Sequence, residues 1–437
     1  MCGGVKKPHV NTNLNHYHCE ERSNPLGFST GRRDCRATLA MTAPLTSPMP
    51  KPPPKIIQDY DSMESYWSDY ELINQGKSLH TYWDTYENGS RRQLEQKLAD
   101  IYGSESALFL NCGMSALHVA LESQNLKAGD SILLGQKSYF ETFTWLDQYL
   151  KPRGIELIRV DTSDFDQLSK ALSQVQPKIC LLETVINSPD CICLDFSSDL
   201  FEIAQKTLFI IDNTVQSHLT TWFDDIPKQY HNQLLIVESA TKYITDEIMV
   251  GLIYGSQNGL SKPRDYARTI GQQLQQAAFS KIKPSNLTKL ESKLNKHSRN
   301  VKLFLESLSP HKSYFNYIRV LNQNANSINQ KQIFKNGVGS LVFLKLNANN
   351  LIETHRKLVK IWKDELHKQN INIKICAGFG FDTTSLRSYE NNNLNQPDKP
   401  FYVRISIGIE SSKKIKVMAK VLGEIASLLT DPETNSG

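Results

Sequence analysis

No run of apolar residues in this 437-residue chain approaches the ~18 needed to cross a bilayer. The richest short stretch, Leu208–Asp212, reads as one buried strand, so no membrane partner is expected. Excess charge of one sign is also missing: 50 Lys and Arg face 45 Asp and Glu, a net charge of +5. There is no basic stripe interleaved with aromatics, which argues against nucleic acid as a partner. The eight cysteines, Cys2, Cys19, Cys35, Cys112, Cys180, Cys191, Cys193 and Cys376, lack the spacing of a disulfide framework, so a reducing cytoplasm is expected. Cys191-Ile192-Cys193 has no second cysteine or histidine pair beside it and reads as two ordinary thiols on alternate sides of an extended segment. No metal site is expected. Arg32-Arg33 is followed by no apolar segment, and Glu20, Glu21 and Asp34 interrupt the basic composition a transit peptide needs, so neither export nor organelle import is expected.

What is present is organised in four stretches. Residues 1–60 carry Pro48, Pro50, Pro52, Pro53 and Pro54 and no periodic apolar pattern, which predicts a disordered or irregular extension. His16-Tyr17-His18-Cys19 lies within it and reads as a solvated stretch. From Arg91 the pattern is globular, with Leu94, Leu98 and Ile101 at helical spacing. Strands are then predicted at Ala107–Leu110, Ser131–Leu134, Ile155–Val160, Ile179–Glu183, Leu208–Asp212 and Leu234–Glu238. Helices are predicted between them at Met114–Glu122, Phe143–Leu150, Phe165–Ser173 and Leu200–Lys206. Short continuous apolar strands alternating with amphipathic helices predict an α/β fold with a mostly parallel sheet covered on both faces. A long helix is expected over Leu287–Leu308, leading to a smaller C-terminal α+β domain. The Asn- and Gln-rich stretches Asn322–Gln332 and Asn391–Gln396 read as surface loops.

The sharpest chemical signal is Ser239-Ala240-Thr241-Lys242-Tyr243, directly after an apolar strand. The carboxyl end of a strand is where α/β sheets bind ligands. Hydroxyls three residues and one residue before the lysine suit a phosphate, while its amine suits an aldehyde. A lone lysine after a strand is more often a solvated one, so partners decide. Ile210-Ile211-Asp212-Asn213-Thr214 ends another strand with a carboxylate, which could also be a turn cap. Asn111-Cys112-Gly113-Met114 lies between a strand and a helix, where a glycine lets backbone approach an anion at the helix N-terminus. Tyr139 follows a further strand and suits stacking on a ring. An aldehyde, a phosphate, a ring and a carboxylate at the ring nitrogen together describe pyridoxal 5′-phosphate (PLP).

These motifs, in this order, resemble the Cys/Met-metabolism (transsulfuration) family of PLP enzymes over roughly residues 80–425. That family includes cystathionine synthases and lyases, methionine γ-lyase and O-acylhomoserine sulfhydrylases. The resemblance implies a fold-type I, aspartate-aminotransferase-like architecture: an irregular extension over 1–60, an arm over 61–92 reaching a neighbouring subunit, a PLP-binding large domain over 93–295 and a small domain over 296–437. It implies that Lys242 carries PLP as a Schiff base, that Ser239, Thr241, Cys112, Gly113 and Met114 surround the phosphate, and that Tyr139 stacks on the ring and assists Lys242 in catalysis. It places Asp212 and Thr214 at the pyridine side. Glu183-Thr184-Val185-Ile186-Asn187-Ser188 is similar to the family's Glu-Thr-Pro-x-Asn-Pro, so Asn187 is expected at the cofactor's 3′ oxygen. Arg404-Ile405-Ser406-Ile407-Gly408-Ile409-Glu410 is similar to Arg-x-Ser-x-Gly-x-Glu, so Arg404 is expected to grip the substrate α-carboxylate.

Departures from the family lie around that core. Asn88-Gly89-Ser90-Arg91 keeps the shape of Asn-Pro-Thr-Arg, but Trp83 and Thr85 replace the usual Tyr and Arg that hold the neighbouring subunit's phosphate. Arg91 and Arg92 read as exposed arginines at a helix start. Thr245-Asp246-Glu247-Ile248-Met249-Val250-Gly251 is shorter and more acidic than the family's segment after the lysine, and Ala377–Asp382 replaces its Ser-Leu-Gly-Gly loop. The expected activity is β- or γ-elimination or replacement on a sulfur-containing or O-acylated amino acid, by a cytoplasmic homodimer or homotetramer. The alternatives are transamination or decarboxylation on the same fold, or a degenerate member retained as a binding protein.

Overall fold

Continuous apolar runs of five or six residues bury both faces of a strand, and seven such strands form the larger sheet of the computed structural model. The structure describes residues 61–74, 89–245, 247–348, 351–389 and 401–430. Trp83, Thr85, Asn88, Asn391–Gln396 and the whole of 1–60 lie outside the described residues. The strands are β1 (Ser106–Leu110), β2 (Ser131–Gly135), β3 (Glu156–Val160), β4 (Ile179–Glu183), β5 (Leu208–Asp212), β6 (Leu234–Ser239) and β7 (Gly251–Gly255), in the order β1-β7-β6-β5-β4-β2-β3. Pairing is parallel from β3 through β2, β4 and β5 to β6. β7 pairs antiparallel with both β6 and β1.

β7 is the strand that the sequence pattern misses, because only Leu252-Ile253-Tyr254 separates its two glycines. The glycine is needed by space rather than by a turn: a Cβ on Gly251 would lie 2.0 Å from the carbonyl oxygen of Cys112. That close approach ties the strand after the lysine to the loop after β1.

The helices mostly follow the expected apolar spacing, with three shifts. The helix expected at Phe143–Leu150 begins earlier, as Phe140–Trp145, and continues as a π turn over Leu146–Leu150. The one expected at Leu200–Lys206 is Asp199–Ile203. The long helix is Leu290–Leu308, preceded by a separate short helix Pro284–Thr288, because Lys289 (ψ −1°) breaks the repeat between them.

A second sheet contains β8 (Phe315–Val320), β9 (Leu341–Leu346), β10 (Lys374–Ile375), β11 (Ser385–Tyr389) and β12 (Tyr402–Ser406), in the order β10-β11-β12-β9-β8. The described residues all fall within one compact unit. Leu341, Phe343 and Tyr402 of the second sheet pack into the same apolar cluster as Phe209, Ile236 and Leu252 of the first. The Asn-rich stretch 322–332 is not a simple surface loop. Ser327 and Gln330 form a capping box at the start of the helix Ile328–Ile333. Buried Gln330 also donates to the carbonyls of Ser163 (2.8 Å) and Cys193 (3.1 Å). Polar composition hides the capping signal there.

Candidate active site

Asp212, Glu183 and Ser239 are the last residues of β5, β4 and β6, and Cys112 and Tyr139 follow the ends of β1 and β2. The parallel register sets Glu183 beside Asp212, and Asp212 beside Val237. One side of the sheet thus presents most of the expected site residues together, as a parallel sheet does at its carboxyl edge.

A buried network fixes those strand ends. The Glu238 carboxylate accepts hydrogen bonds from Tyr254 Oη (2.6 Å), Tyr102 Oη (3.0 Å), Ser217 Oγ (3.0 Å) and Asn213 Nδ2 (3.1 Å). Thr184 Oγ1 donates to Asn213 Oδ1 at 2.7 Å. Residues adjacent to Glu183, Asp212 and Ser239 are therefore cross-linked behind the site. Burial outweighs the four donors and pushes the Glu238 carboxyl up to about 7. A raised folded value means its contribution to stability is fully present below the ordinary glutamate range and is lost as pH rises through about 7. Stability is expected to fall by about 3 kcal/mol over pH 4.5–7 from this group alone. Denaturant midpoints of wild type and E238Q across that range check it, since the difference between them should change with pH by that amount.

On the phosphate side, the helix Gly113–Glu122 points its N-terminus at the end of β6. A Cβ on Gly113 would lie 2.8 Å from that of Ser239, so only glycine permits the contact. Cys112 caps this helix: its Sγ accepts from Ser115 N at 3.3 Å. Met114 contributes backbone here, while its side chain packs against the apolar cluster under the helix. Ser239 N donates to Thr214 Oγ1 at 2.9 Å. Thr241 Oγ1 accepts from Val250 N at 2.9 Å, so its hydroxyl also closes the turn that carries Lys242. A helix N-terminus brought this close to the Ser239 hydroxyl suits a phosphate.

Lys242 is part-buried among charges of both signs. Burial, then the nearby Arg404, pulls its amine below the ordinary lysine range, while Asp212 is among the groups that hold it up. Asp212 accepts from Thr214 N at 2.9 Å. Burial raises its carboxyl, and Thr214 and the Lys242 amine pull it back down. Its neighbour Glu183 is pushed up to about 8, first by burial and then by the Asp212 charge. Burial raises both carboxyls of this pair, and only Asp212 has the Thr214 donors and the Lys242 amine to draw its value back down. An anion in this position, with the Thr214 amide as its donor, fits a protonated pyridine nitrogen.

Glu183 is the residue whose task sequence reasoning overlooked. It accepts the backbone N–H of Tyr139 at 2.5 Å and so sets where that tyrosine stands. Its signal was available as the first residue of the motif that contains Asn187. Tyr139 is 42% exposed, with its hydroxyl donating to Glu141 Oε2 at 3.0 Å.

Arg404, on β12, is 3% exposed. It donates to Asn187 Oδ1 (3.4 Å) and to the carbonyls of Ala377 and Gly378 (3.1 Å to the latter). Among the described residues no carboxylate pairs with it, and a buried guanidinium held by neutral acceptors is suited to receive one. The altered loop 377–382 brings it to the lysine: the Phe379 ring lies 5.2 Å from Lys242 Nζ and 5.6 Å from the Arg404 guanidinium carbon. Gly380 (φ +76°) leaves no room for a Cβ against the Lys242 carbonyl, 2.0 Å away.

Arg91 is not exposed as its position predicts. It is fully buried, donates to the Leu274 carbonyl and lies 4.8 Å over the Phe279 ring. Its helix packs that face inward, whereas Arg92, one residue on, is exposed. Cys191 and Cys193 are both buried free thiols.

A helix N-terminus packed on the end of β6, a lysine and a carboxyl at the ends of parallel strands, and an arginine brought in from a second, mixed sheet define a fold-type I PLP-binding architecture. The profile of the Cys/Met metabolism PLP-dependent enzyme family matches residues 61–422, and the chain belongs to that family. Among similar proteins, L-methionine gamma-lyase from Fusobacterium nucleatum subsp. polymorphum is 28% identical over 234 residues, 51% of this chain and 56% of that protein. Chloroplastic cystathionine gamma-synthase 1 from Arabidopsis thaliana is 25% identical over 339 residues, 74% of this chain and 56% of that one. The matched part of the chain thus spans little more than half the length of either relative. The fold is shared with the crystal structure of cystathionine gamma synthase from Xanthomonas oryzae pv. oryzae, at a TM-score of 0.66 and 20% identity over 79% of this chain and 88% of that one. Among the described residues, no helix is long and apolar enough to cross a membrane.

Proposed function

We propose that this chain catalyses β- or γ-elimination or replacement on a sulfur-containing or O-acylated amino acid, with PLP held by Lys242. The observation that carries the reading is the Lys242 amine set against the same Phe379 ring as the buried Arg404, which has no carboxylate partner among the described residues. PLP, when bound, supplies an electron sink for the charge left at the α-carbon.

The residues divide the work as follows. Arg404 receives the substrate α-carboxylate with its fork of N–H groups, and Asn187 holds that fork in place. Asp212 would face the ring nitrogen and favour its protonated form. Lys242, its amine made less basic by burial, takes the α-proton and returns it at the departing end of the substrate. The helix N-terminus at Gly113 and the Ser239 hydroxyl would hold the phosphate, and the Tyr139 ring would lie against the cofactor ring. Phe379 lies over both cations and limits the access of water to them. The same reading extends to a cytoplasmic homodimer or homotetramer.

Product analysis tests it. With PLP supplied, thioether and O-acyl amino acids should release a thiol or carboxylic acid with keto acid and ammonia, or exchange their side chain for an added thiol. Formation of a new amino acid from a keto-acid acceptor, or of carbon dioxide, would instead mean transamination or decarboxylation.

A further inference from the structure

The interior of the site carries two cations, Lys242 and Arg404, and two carboxyls at strand ends, Asp212 and Glu183. Glu141 belongs to neither group. It sits in the first turn of the helix Phe140–Trp145, is exposed, and reaches back to the tyrosine that lines the site. Its Oε2 accepts the Tyr139 hydroxyl at 3.0 Å. Tyr139 itself is fixed from the other side, where its backbone N–H meets Glu183.

Two properties separate Glu141 from an ordinary solvated carboxylate. It is held to a site residue in one direction, with Oε1 left to accept a further donor, and among the described residues it forms no ion pair. It also lies close enough to the Lys242 amine to act on it electrostatically. Beside it stand the exposed rings of Tyr139 and Phe140, 42% and 55% accessible. A substrate whose α-carboxylate lies against Arg404 and whose side chain passes the Tyr139 ring would bring its end near this fixed negative charge.

We propose that Glu141 is a specificity-determining residue, selecting amino acids whose side chain ends in a cationic group such as an ammonium and disfavouring those that end in a carboxylate. This rests on the function proposed above and names its substrate class. Charge complementarity is the reason: Arg404 offers positive charge to the α-carboxylate, and Glu141, beside Tyr139, offers negative charge to the far end of the side chain.

The experiment uses the full chain loaded with PLP and three thioether amino acids of equal length, ending in ammonium, methyl or carboxylate. The quantity read is the ratio of kcat/KM values, in which any general effect of a mutation through Tyr139 cancels. Wild type should favour the ammonium over the methyl substrate by about 5-fold, as a partly screened charge pair allows, and the carboxylate substrate should be the poorest. E141Q should bring the ammonium-to-methyl ratio close to 1, E141D should keep its direction, and E141K should invert it and raise the carboxylate substrate. A wild-type ratio of 1, or a ratio that survives in E141Q, overturns the assignment. If wild type turns over the methyl substrate while the ratios stay flat, only the role of Glu141 falls. If it turns over none of the three, the proposed function falls with it.

Discussion

K242A is expected to lose turnover by at least about 10⁴-fold, because on the proposed function one substitution removes both the anchor of the cofactor and the base that moves the α-proton. The near-visible absorbance of lysine-bound PLP should disappear from the variant. In wild type, borohydride followed by peptide mass analysis should place the reduced cofactor on the peptide holding Ser239-Ala240-Thr241-Lys242. The structure explains why this lysine is suited to both tasks. Thr241 and Val250 close the turn that carries it, and the Gly380 backbone packs against its carbonyl. Burial and Arg404 reduce the basicity of its amine. Retention of more than 1% of wild-type turnover in K242A would exclude the assigned role.

R404A raises KM far more than it lowers kcat, with kcat/KM falling by about 100-fold, or about 3 kcal/mol. The loss follows from removing a desolvated, forked donor set whose present partners are an amide and two carbonyl oxygens. R404K keeps a charge without the planar fork and should recover only part of it. A structural effect is separated by a substrate analogue in which the α-carboxylate is an amide. Wild type should prefer the acid strongly, and R404A should have lost that preference. If both enzymes discriminate equally, the carboxylate binds elsewhere.

Lys242, Asp212 and Gly113 were legible in the sequence because each lies next to a strand whose apolar run is unmistakable, so its place at the edge of the sheet follows from local pattern. Arg404 was legible through its motif, although nothing local says that it is buried. Arg91 shows the limit of such reasoning. At the start of a polar helix it reads as exposed, yet the helix Gly89–Ile101 buries that face, and Arg91 meets Leu274 and Phe279, more than 180 residues away in sequence. The Glu238 network was out of reach for the same reason. Its partners, Tyr102, Asn213, Ser217 and Tyr254, come from separate segments, and none has a spacing that announces the others.

The sequence by itself determined the α/β alternation, the family, and which residues stand at the ends of β5 and β6, since burial of both strand faces writes itself as unbroken apolar runs. Tertiary structure alone decided that β7 runs against its neighbours, with Gly251 in contact with Cys112, that Glu183 sits beside Asp212 where burial raises both carboxyls, and that Glu141 turns towards Tyr139. These are consequences of side chains brought together across the fold, where burial and the nearest charge set protonation and orientation. Neither quantity is carried by residues adjacent in the chain.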